Sequence, residues 1–152
     1  MIRSASAQWQ GKLADGRGRL TTTSGVLVDT PYSFATRFEG EAGTNPEELV
    51  AAAHAGCFSM ALAFFLENKG RPAENISTNA ELSLKVDKAG WQIAGIHLTV
   101  AARVPHIGDT DFRTIAEEAK RNCLISRLLN TPITLDAQLV NENGSLIPVG
   151  PR

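Results

Sequence analysis

The longest apolar segment of the chain predicts a long helix. The residues from Leu49 to Leu66 include no charged side chain, and apolar residues fall on every side of a 3.6-residue period. Asn45 suits the N-cap, Pro46 suits the first helical position, and Gly70 suits the point where a helix ends. We therefore predict a helix that begins at Pro46, ends before Gly70 and is covered by protein on every side.

Alternation of apolar and polar residues predicts strands before and after this helix. The even-numbered positions from 76 to 86 are mainly apolar and the odd-numbered ones polar, and residues 133–139 also alternate. A further strand from Trp91 changes its apolar parity between Ile93 and Ile96, which predicts a β-bulge near Gly95. Four short runs before the helix are also predicted to be strands: Ala5–Gln10, Gly18–Thr23, Val26–Val28 and Ser33–Phe38.

A second, amphipathic helix follows the central strands. Its apolar residues fall at spacings of three and four from Phe112, and the stripe ends at Cys123, which we expect to face the core. Strands and two main helices without strict β-α-β alternation indicate an α+β fold, with antiparallel sheets around the long buried central helix. One domain over residues 1–140, followed by a loosely attached tail over 141–152, accounts for these elements.

The long helix also predicts a homodimer. Sheets of this size do not readily enclose, within one chain, a helix that is apolar all round. We therefore expect two copies to pack their central helices together. The helix carries small residues that permit such a close approach: Ala51, Ala52, Ala53, Ala55 and Gly56.

Composition narrows the class of protein. The chain has 152 residues, of which 43% are hydrophobic, and a formal net charge of −1, which gives no electrostatic indication of binding to nucleic acid or anionic membranes. The segment before Leu13 lacks the apolar core of a signal peptide. The long apolar run is barely long enough to span a membrane, and His54, Gly56 and Ser59 interrupt it. We therefore expect a cytoplasmic protein with no membrane partner.

The two cysteines, Cys57 and Cys123, are too few for a disulfide framework and form no CxxC pair. A buried helical cysteine most often packs as a small hydrophobic residue. Cys57 lies near the middle of its helix, where the helix dipole has little effect and apolar surroundings raise the pKa of a thiol. A nucleophilic Cys57 therefore needs a cation, either His54 three residues earlier or an arginine from another element.

Glu47 and Arg37 are charged residues that the same site could use. Glu47 lies ten residues before Cys57 in the predicted helix, about 15 Å along its axis, and a glutamate side chain cannot span that distance. If Glu47 belongs to the same site as Cys57, it must come from a second chain. Taken alone, Glu47 and Glu48 simply favour the helix dipole, and Arg37 is typical of a solvated strand residue.

A metal site is the other interpretation of this region. His54 and Cys57 share a helix face, and Cys123, His97 or His106 could join them. Structural zinc sites normally use closer ligand pairs, and the chain contains neither CxxC nor HxxxH. The spacing therefore disfavours a metal site.

The segment RFEGEAGTNPEELVAAAHAGCFSMAL, residues 37–62, resembles the OsmC/Ohr family of thiol-dependent organic hydroperoxide reductases. The resemblance also covers QWQGKLADGRGRLTTTSGVL, PYSFATRFEGE, AKRNCLIS and ITLDAQL, and so extends over nearly the whole chain apart from its last ten or so residues. It implies an OsmC/Ohr-like fold, an intertwined homodimer with two active sites at the subunit interface, and a role in oxidative and osmotic stress defence. His54 matches the OsmC branch, since the Ohr branch usually has tyrosine there.

The family's residue roles carry over onto the matching positions of this sequence. By this resemblance Cys57 is the peroxidatic cysteine, and Cys123 is the resolving cysteine that forms a disulfide with it. Arg37 matches the arginine that steadies the thiolate and orients the peroxide, and Glu47 matches the carboxylate that holds this arginine. The supply of Arg37 and Glu47 by the partner chain agrees with the helix distance.

The resemblance implies no bound cofactor or metal, because an external dithiol of lipoyl type, or a lipoylated protein, reduces the disulfide. Apolar neighbours such as Phe58, Met60 and Phe64 favour bulky organic hydroperoxides over hydrogen peroxide, although core packing explains them equally well. His54, Glu48 and Phe58 are further candidate site residues. The alternative hypothesis is a non-catalytic member of the fold, a hydrophobic-ligand-binding or structural dimer whose cysteines only pack.

Two positions depart from the family pattern. Gly56 stands where alanine is common, and glycine weakens a helix beside the nucleophile. Leu-Ile-Ser follows Cys123 where Pro-Val-Ser is common, so the loop that carries the resolving cysteine is expected to be less rigid.

Overall fold

Two units make up the chain in the computed structural model, Met1–Val50 and Ala51–Arg152, and residues 1–146 are described. The proposed division into one domain over 1–140 and a tail stays a prediction. In the predicted tail, Asn141 donates its N–H to the Ser145 carbonyl and Val140 pairs with Leu146. Residues 147–152 lie outside the described residues.

The first unit contains a three-stranded antiparallel sheet in the order β1-β2-β3. Its strands are β1 (Ala5–Gln10), β2 (Arg17–Thr22) and β3 (Thr30–Tyr32). Trp9 contacts Tyr32 with ring centroids 5.6 Å apart, and the Tyr32 ring lies directly on Gly18, where a Cβ would collide with it. Every residue of β1 is exposed in the single chain. In a single folded chain, strand β1 of this sheet therefore remains exposed to solvent.

Two of the short strands predicted in the first unit are wrong. Residues 34–38 form a helix, α1 (Phe34–Phe38), because Ser33 and Thr36 make a reciprocal capping box. The Phe34 and Phe38 rings then meet one turn apart, with centroids 4.9 Å apart. Residues 26–28 form no strand but a bend, in which the Thr22 hydroxyl bonds both the N–H and the carbonyl of Leu27.

The long helix α2 (Pro46–Asn68) begins in the first unit and continues in the second. Asn45 caps it by accepting a 2.8 Å hydrogen bond from the Glu48 N–H, and Gly70 ends it at φ +68°. Length and composition would allow α2 to span a membrane, with a mean hydropathy of 1.9. In the single chain one stripe of α2 is buried, whereas Met60 and Phe64 are exposed. A single chain therefore does not cover the helix on every side, as the sequence predicted. The buried stripe is His54, Phe58, Leu62 and Leu66.

The second unit contains a mixed sheet in the order β4-β5-β6. Its strands are β4 (Asn75–Asp87), β5 (Gly90–Arg103) and β6 (Ile133–Leu139). The bulge predicted near Gly95 is present, because Ser83 pairs with Gly95 and Leu84 with Ile93. The predicted antiparallel pairing is found between β1 and β2, β2 and β3, and β4 and β5, whereas β5 and β6 run parallel. The intervening helices, α3 (Asp109–Asn122) and α4 (Leu124–Leu128), provide the crossover that parallel strands require.

One face of this sheet forms the core of the second unit. Ile96, Leu98 and Val100 are almost completely buried on that face. The α3 stripe predicted from Phe112 is buried, and Ser59 of α2 donates a 2.7 Å hydrogen bond to Thr78 of β4. Helices α2 and α3 therefore pack on this face of the sheet, and the two cysteines lie in this helical layer.

Candidate active site

The two cysteines lie side by side in the second unit. Cys57 is in the middle of α2, and Cys123 joins α3 to α4. Both thiols are free, and they lie within hydrogen-bonding reach of each other. Cys123 is 1% exposed, as its position at the end of the α3 stripe predicted, while Cys57 is only partly buried. The fold thus brings together two thiols that are 66 positions apart in the sequence.

The surroundings of Cys57 determine its acidity. Burial raises the pKa of the Cys57 thiol, and the neighbouring Cys123 thiol raises it further. Hydrogen bonds from the backbone N–H groups of Ile125 and Leu124 to the Cys57 sulfur oppose this rise and lower the pKa. The net shift is upward, so within one chain the thiol is favoured over the reactive thiolate.

An apolar cavity of about 720 Å³ opens beside the two thiols. Met60 and Phe64 on α2 are 76% and 57% exposed, and they form part of its wall. Phe58 does not line this cavity but is fully buried in the core, since it faces the opposite side of the helix from Met60. The residues that line this cavity include Cys57, Met60, Phe64, Cys123, Leu124 and Ile125.

His54 lies one turn before Cys57 and is fully buried. Its Nε2 is 2.8 Å from the hydroxyl oxygen of Ser126 in α4, and burial lowers the pKa of the imidazole. A neutral His54 does not supply the cation that a Cys57 thiolate needs. Ser126 was not predicted as a site residue from the sequence, because its position three residues after Cys123 does not indicate a contact with α2.

Arg37 and Glu47 form an ion pair in the first unit. The Arg37 Nε donates to Glu47 Oε2 at 3.2 Å, and Nη2 donates to Oε1 at 2.5 Å, so both ends of the carboxylate are held. This pair raises the pKa of Arg37 and lowers that of Glu47, each mainly through the shared hydrogen bonds. The guanidinium also lies 4.8 Å from the centre of the Phe38 ring. Arg37 is therefore a fixed cation rather than a solvated strand residue.

The remaining sequence candidates have separate positions. Glu48 is exposed in the first turn of α2, where its carboxylate suits the helix dipole. His97 lies on the outer face of the β4-β5-β6 sheet and bonds Thr134 at 2.7 Å, away from the face that α2 covers. Within residues 1–146, no cluster of three or more His, Cys, Asp or Glu side chains is arranged to hold a metal ion.

Comparison with known proteins identifies relatives of the chain. The model of the family described as OsmC-like protein matches residues 38–138. Peroxiredoxin OsmC from Escherichia coli (strain K12) is 47% identical over 137 residues, which cover 90% of this chain and 96% of that protein. The uncharacterized protein YmaD from Bacillus subtilis (strain 168) is 28% identical over 140 residues, which cover 88% of this chain and 91% of that protein.

Solved structures have the same fold. The organic hydroperoxide resistance protein OhrB of Bacillus subtilis superposes with a TM-score of 0.68 at 25% identity, over 90% of this chain and 98% of that one. An OsmC structure from Legionella pneumophila superposes with a TM-score of 0.70 at 20% identity, over 93% of this chain and 99% of that one. The α+β architecture predicted from the sequence is therefore that of the OsmC and Ohr proteins.

Proposed function

The chain belongs to the OsmC-like protein family and is a cysteine-based peroxidase, and on this premise we propose that it reduces organic hydroperoxides to alcohols with Cys57 as the nucleophile. The observation that carries the proposal is the pair of free thiols, Cys57 and Cys123, at one apolar cavity. A nucleophilic thiol with a second thiol in reach is the arrangement that a two-cysteine peroxidase needs.

The reaction begins at Cys57. Its thiolate attacks the distal oxygen of the hydroperoxide, the O–O bond breaks, and the remaining alkoxide takes up a proton and leaves as an alcohol. Cys57 is then a sulfenic acid. The Cys123 sulfur attacks the Cys57 sulfur, an S–S bond forms and water leaves. An external dithiol returns both cysteines to thiols and is itself oxidised to a disulfide.

Activation of Cys57 requires a positive charge that its own helix does not provide. Arg37 is such a charge, and Glu47 fixes its orientation through two hydrogen bonds. Glu47 is ten residues before Cys57 in α2, about 15 Å of helix axis away. The proposed active site therefore combines Cys57 and Cys123 of one chain with Arg37 and Glu47 of its partner in a homodimer.

The exposed apolar surfaces of the single chain support this dimer. Met60 and Phe64 protrude from α2, and Trp9 of β1 is also exposed. The free energy falls when a second copy covers this apolar helix surface, because the surface is then removed from water. Each active site would then be shielded from water by both subunits.

The cavity supports a bulky, apolar substrate. Met60, Phe64 and Leu124 present hydrocarbon and thioether surface beside Cys57, and such a wall favours an organic hydroperoxide over hydrogen peroxide. The proposed reductant is an external dithiol of lipoyl type or a lipoylated protein, and the proposed location is the cytoplasm. Free cysteines are typical of that reducing compartment.

Mass spectrometry of the intact protein after treatment with equimolar cumene hydroperoxide tests this function. We expect the wild type to lose two hydrogens through a Cys57–Cys123 bond, located by peptide mapping. Cys123→Ser should instead gain one oxygen at Cys57, and Cys57→Ser should stay unchanged. A wild-type mass that does not change, or turnover that persists in Cys57→Ser, would exclude the proposed nucleophile.

Rate measurements test the substrate class separately. The second-order rate of Cys57 oxidation should be higher with cumene hydroperoxide than with hydrogen peroxide. Met60→Lys places a charge in the cavity wall and should reduce the rate with cumene hydroperoxide more than the rate with hydrogen peroxide. Equal losses with both peroxides, in a Met60→Lys variant that size-exclusion chromatography shows to have the same oligomeric state as the wild type, would show that the cavity does not select the substrate.

A further inference from the structure

The contact between His54 and Ser126 links the two helices that carry the reactive cysteines. His54 lies three residues before Cys57 in α2, and Ser126 lies three residues after Cys123 in α4. The imidazole Nε2 and the serine hydroxyl oxygen are 2.8 Å apart. Within residues 1–146, His54 is the sole buried polar or charged side chain.

The chemistry of His54 indicates how this bond is made. Burying an imidazole is costly unless it is hydrogen-bonded, and the other buried residues of its stripe are apolar. Its Nδ1 has no partner in the described part of the chain. An unpaired buried N–H is rarer than an unpaired acceptor, so the proton belongs on Nε2. We assign His54 as a neutral donor to the Ser126 hydroxyl oxygen.

Within one chain, helix α4 depends on such polar contacts because the rest of that chain gives it little apolar anchorage. None of its residues is buried in the described chain, and Leu124 and Leu128 are 72% and 76% exposed. In the described chain, the His54–Ser126 hydrogen bond attaches α4 to α2, and Leu124 and Ile125 lie beside Cys57 at the cavity. The sulfur of Cys57 is chemically changed during turnover, whereas the atoms of the His54–Ser126 bond are not.

The backbone of Cys123 connects this anchorage to the second thiol. Its N–H donates to the Ala119 carbonyl in α3, and its carbonyl accepts from the Arg127 N–H in α4 at 3.0 Å. The orientations of α3 and α4 therefore together set the direction of the Cys123 side chain. A disulfide forms only within a narrow range of separations and dihedral angles, so movement of α4 reduces the fraction of time in which the sulfurs can react.

We propose that the His54–Ser126 hydrogen bond is a positioning contact that holds Cys123 against Cys57 while the disulfide closes. The inference rests on the proposed function, since Cys57 is first oxidised by the hydroperoxide to a sulfenic acid. Cys123 then attacks that sulfur and water leaves. If closure is slow, a second hydroperoxide oxidises the sulfenic acid to a sulfinic acid, which a dithiol does not reduce.

Quenched-flow mass spectrometry of Ser126→Ala with cumene hydroperoxide tests the positioning role. One net hydrogen bond, at about 1 kcal/mol, changes a local equilibrium by about fivefold. We therefore expect disulfide closure to slow about fivefold, and sulfinic acid at Cys57 to accumulate, while the first oxygen transfer changes by less than about twofold. Ser126→Thr keeps the hydroxyl and should restore wild-type closure.

Ser59→Ala is the matched control. It removes another short hydrogen bond between α2 and a neighbouring element, the 2.7 Å bond to Thr78, without affecting α4. Closure as fast in Ser126→Ala as in the wild type, or an equal slowing in Ser59→Ala, would overturn the proposal.

A second oxidant separates this inference from the proposed function. Diamide joins two neighbouring thiols without a peroxide: one thiolate adds to it, and the other thiol then displaces the reduced diamide. The rate of this second step, followed by quenched-flow mass spectrometry, reports the positioning of the cysteines. If cumene hydroperoxide does not oxidise the wild type, the proposed function fails, and the diamide rates of the wild type and Ser126→Ala still decide the positioning role. Slower closure in Ser126→Ala supports it, and equal rates refute it.

Discussion

A mixed dimer made from two inactive variants tests whether Arg37 activates Cys57 across a subunit interface. In one chain, burial and Cys123 raise the pKa of Cys57, and the fixed Arg37 guanidinium is the proposed opposing charge. A cation within about 4–6 Å lowers a pKa by about 1–3 units. Removing it in Arg37→Met therefore reduces the thiolate fraction by about 10- to 1000-fold at any pH below the pKa of Cys57 in the wild type. Cys57→Ser removes the nucleophile, so each variant alone should be almost inactive.

Co-expression with two different affinity tags isolates the mixed dimer of Cys57→Ser and Arg37→Met. Its chains provide one intact site, with Cys57 from one and Arg37 from the other, and one site that lacks both groups. We expect about half of the wild-type turnover of cumene hydroperoxide per dimer. A mixed dimer as inactive as its parents would refute activation across the interface. In the control, Cys57→Ser is paired with an Arg37→Met, Cys57→Ser double variant and should have no activity.

Three further predictions concern the environment of single residues. Alkylation of Cys57 by iodoacetamide should begin at higher pH in Arg37→Met than in the wild type, and superimposed pH profiles would contradict the proposed charge effect. Because burial lowers the pKa of His54, the unfolded chain binds a proton first, so the free energy of unfolding should fall as the pH falls below about 6.5. Urea titrations at several pH values should show less of this loss in His54→Gln, and parallel curves would indicate that His54 is not responsible. Phe112 is fully buried, so Phe112→Ala should cost about 3–5 kcal/mol in urea unfolding followed by circular dichroism, and a cost below about 1 kcal/mol would contradict tight packing around it.

Long and clearly punctuated elements could be predicted from the sequence. The α2 helix has a cap, a proline at its first position and a terminating glycine, and each signal agrees with the apolar run between them. The alternation over β4 extends across more than ten residues, so a strand accounts for it far better than a helix does. Both predictions are confirmed because local preference and burial point to the same structure.

Short segments could not be predicted in this way. In residues 33–38 the spacing of Phe34 and Phe38 fits both a strand face and one helical turn, and the Ser33–Thr36 capping box decides in favour of the helix. The parallel pairing of β6 with β5 is a property of the crossover through α3 and α4. Periodicity describes which face of a strand is buried, but it does not give the direction in which a neighbouring strand runs.

For the charged and redox-active groups, the sequence also predicted some properties and not others. Helix geometry already separated Glu47 from Cys57, and it did so without any knowledge of their partners. What the sequence could not provide was the state of each group, because Arg37 alone is typical of a solvated residue and becomes a fixed cation only through Glu47.

Burial leaves the Cys57 thiol poorly acidic in the single chain, while the proposed partner supplies the charge that would activate it. In the proposed dimer, the reactivity of Cys57 depends on assembly: a newly made monomer carries a protonated thiol, and the thiolate forms where two subunits enclose the cavity. The exposed Met60 and Phe64 then contribute both to dimerisation and to substrate binding. The apolar surface that favours the dimer also surrounds the incoming peroxide. A substitution there is therefore expected to change both the dimer affinity and the choice of substrate.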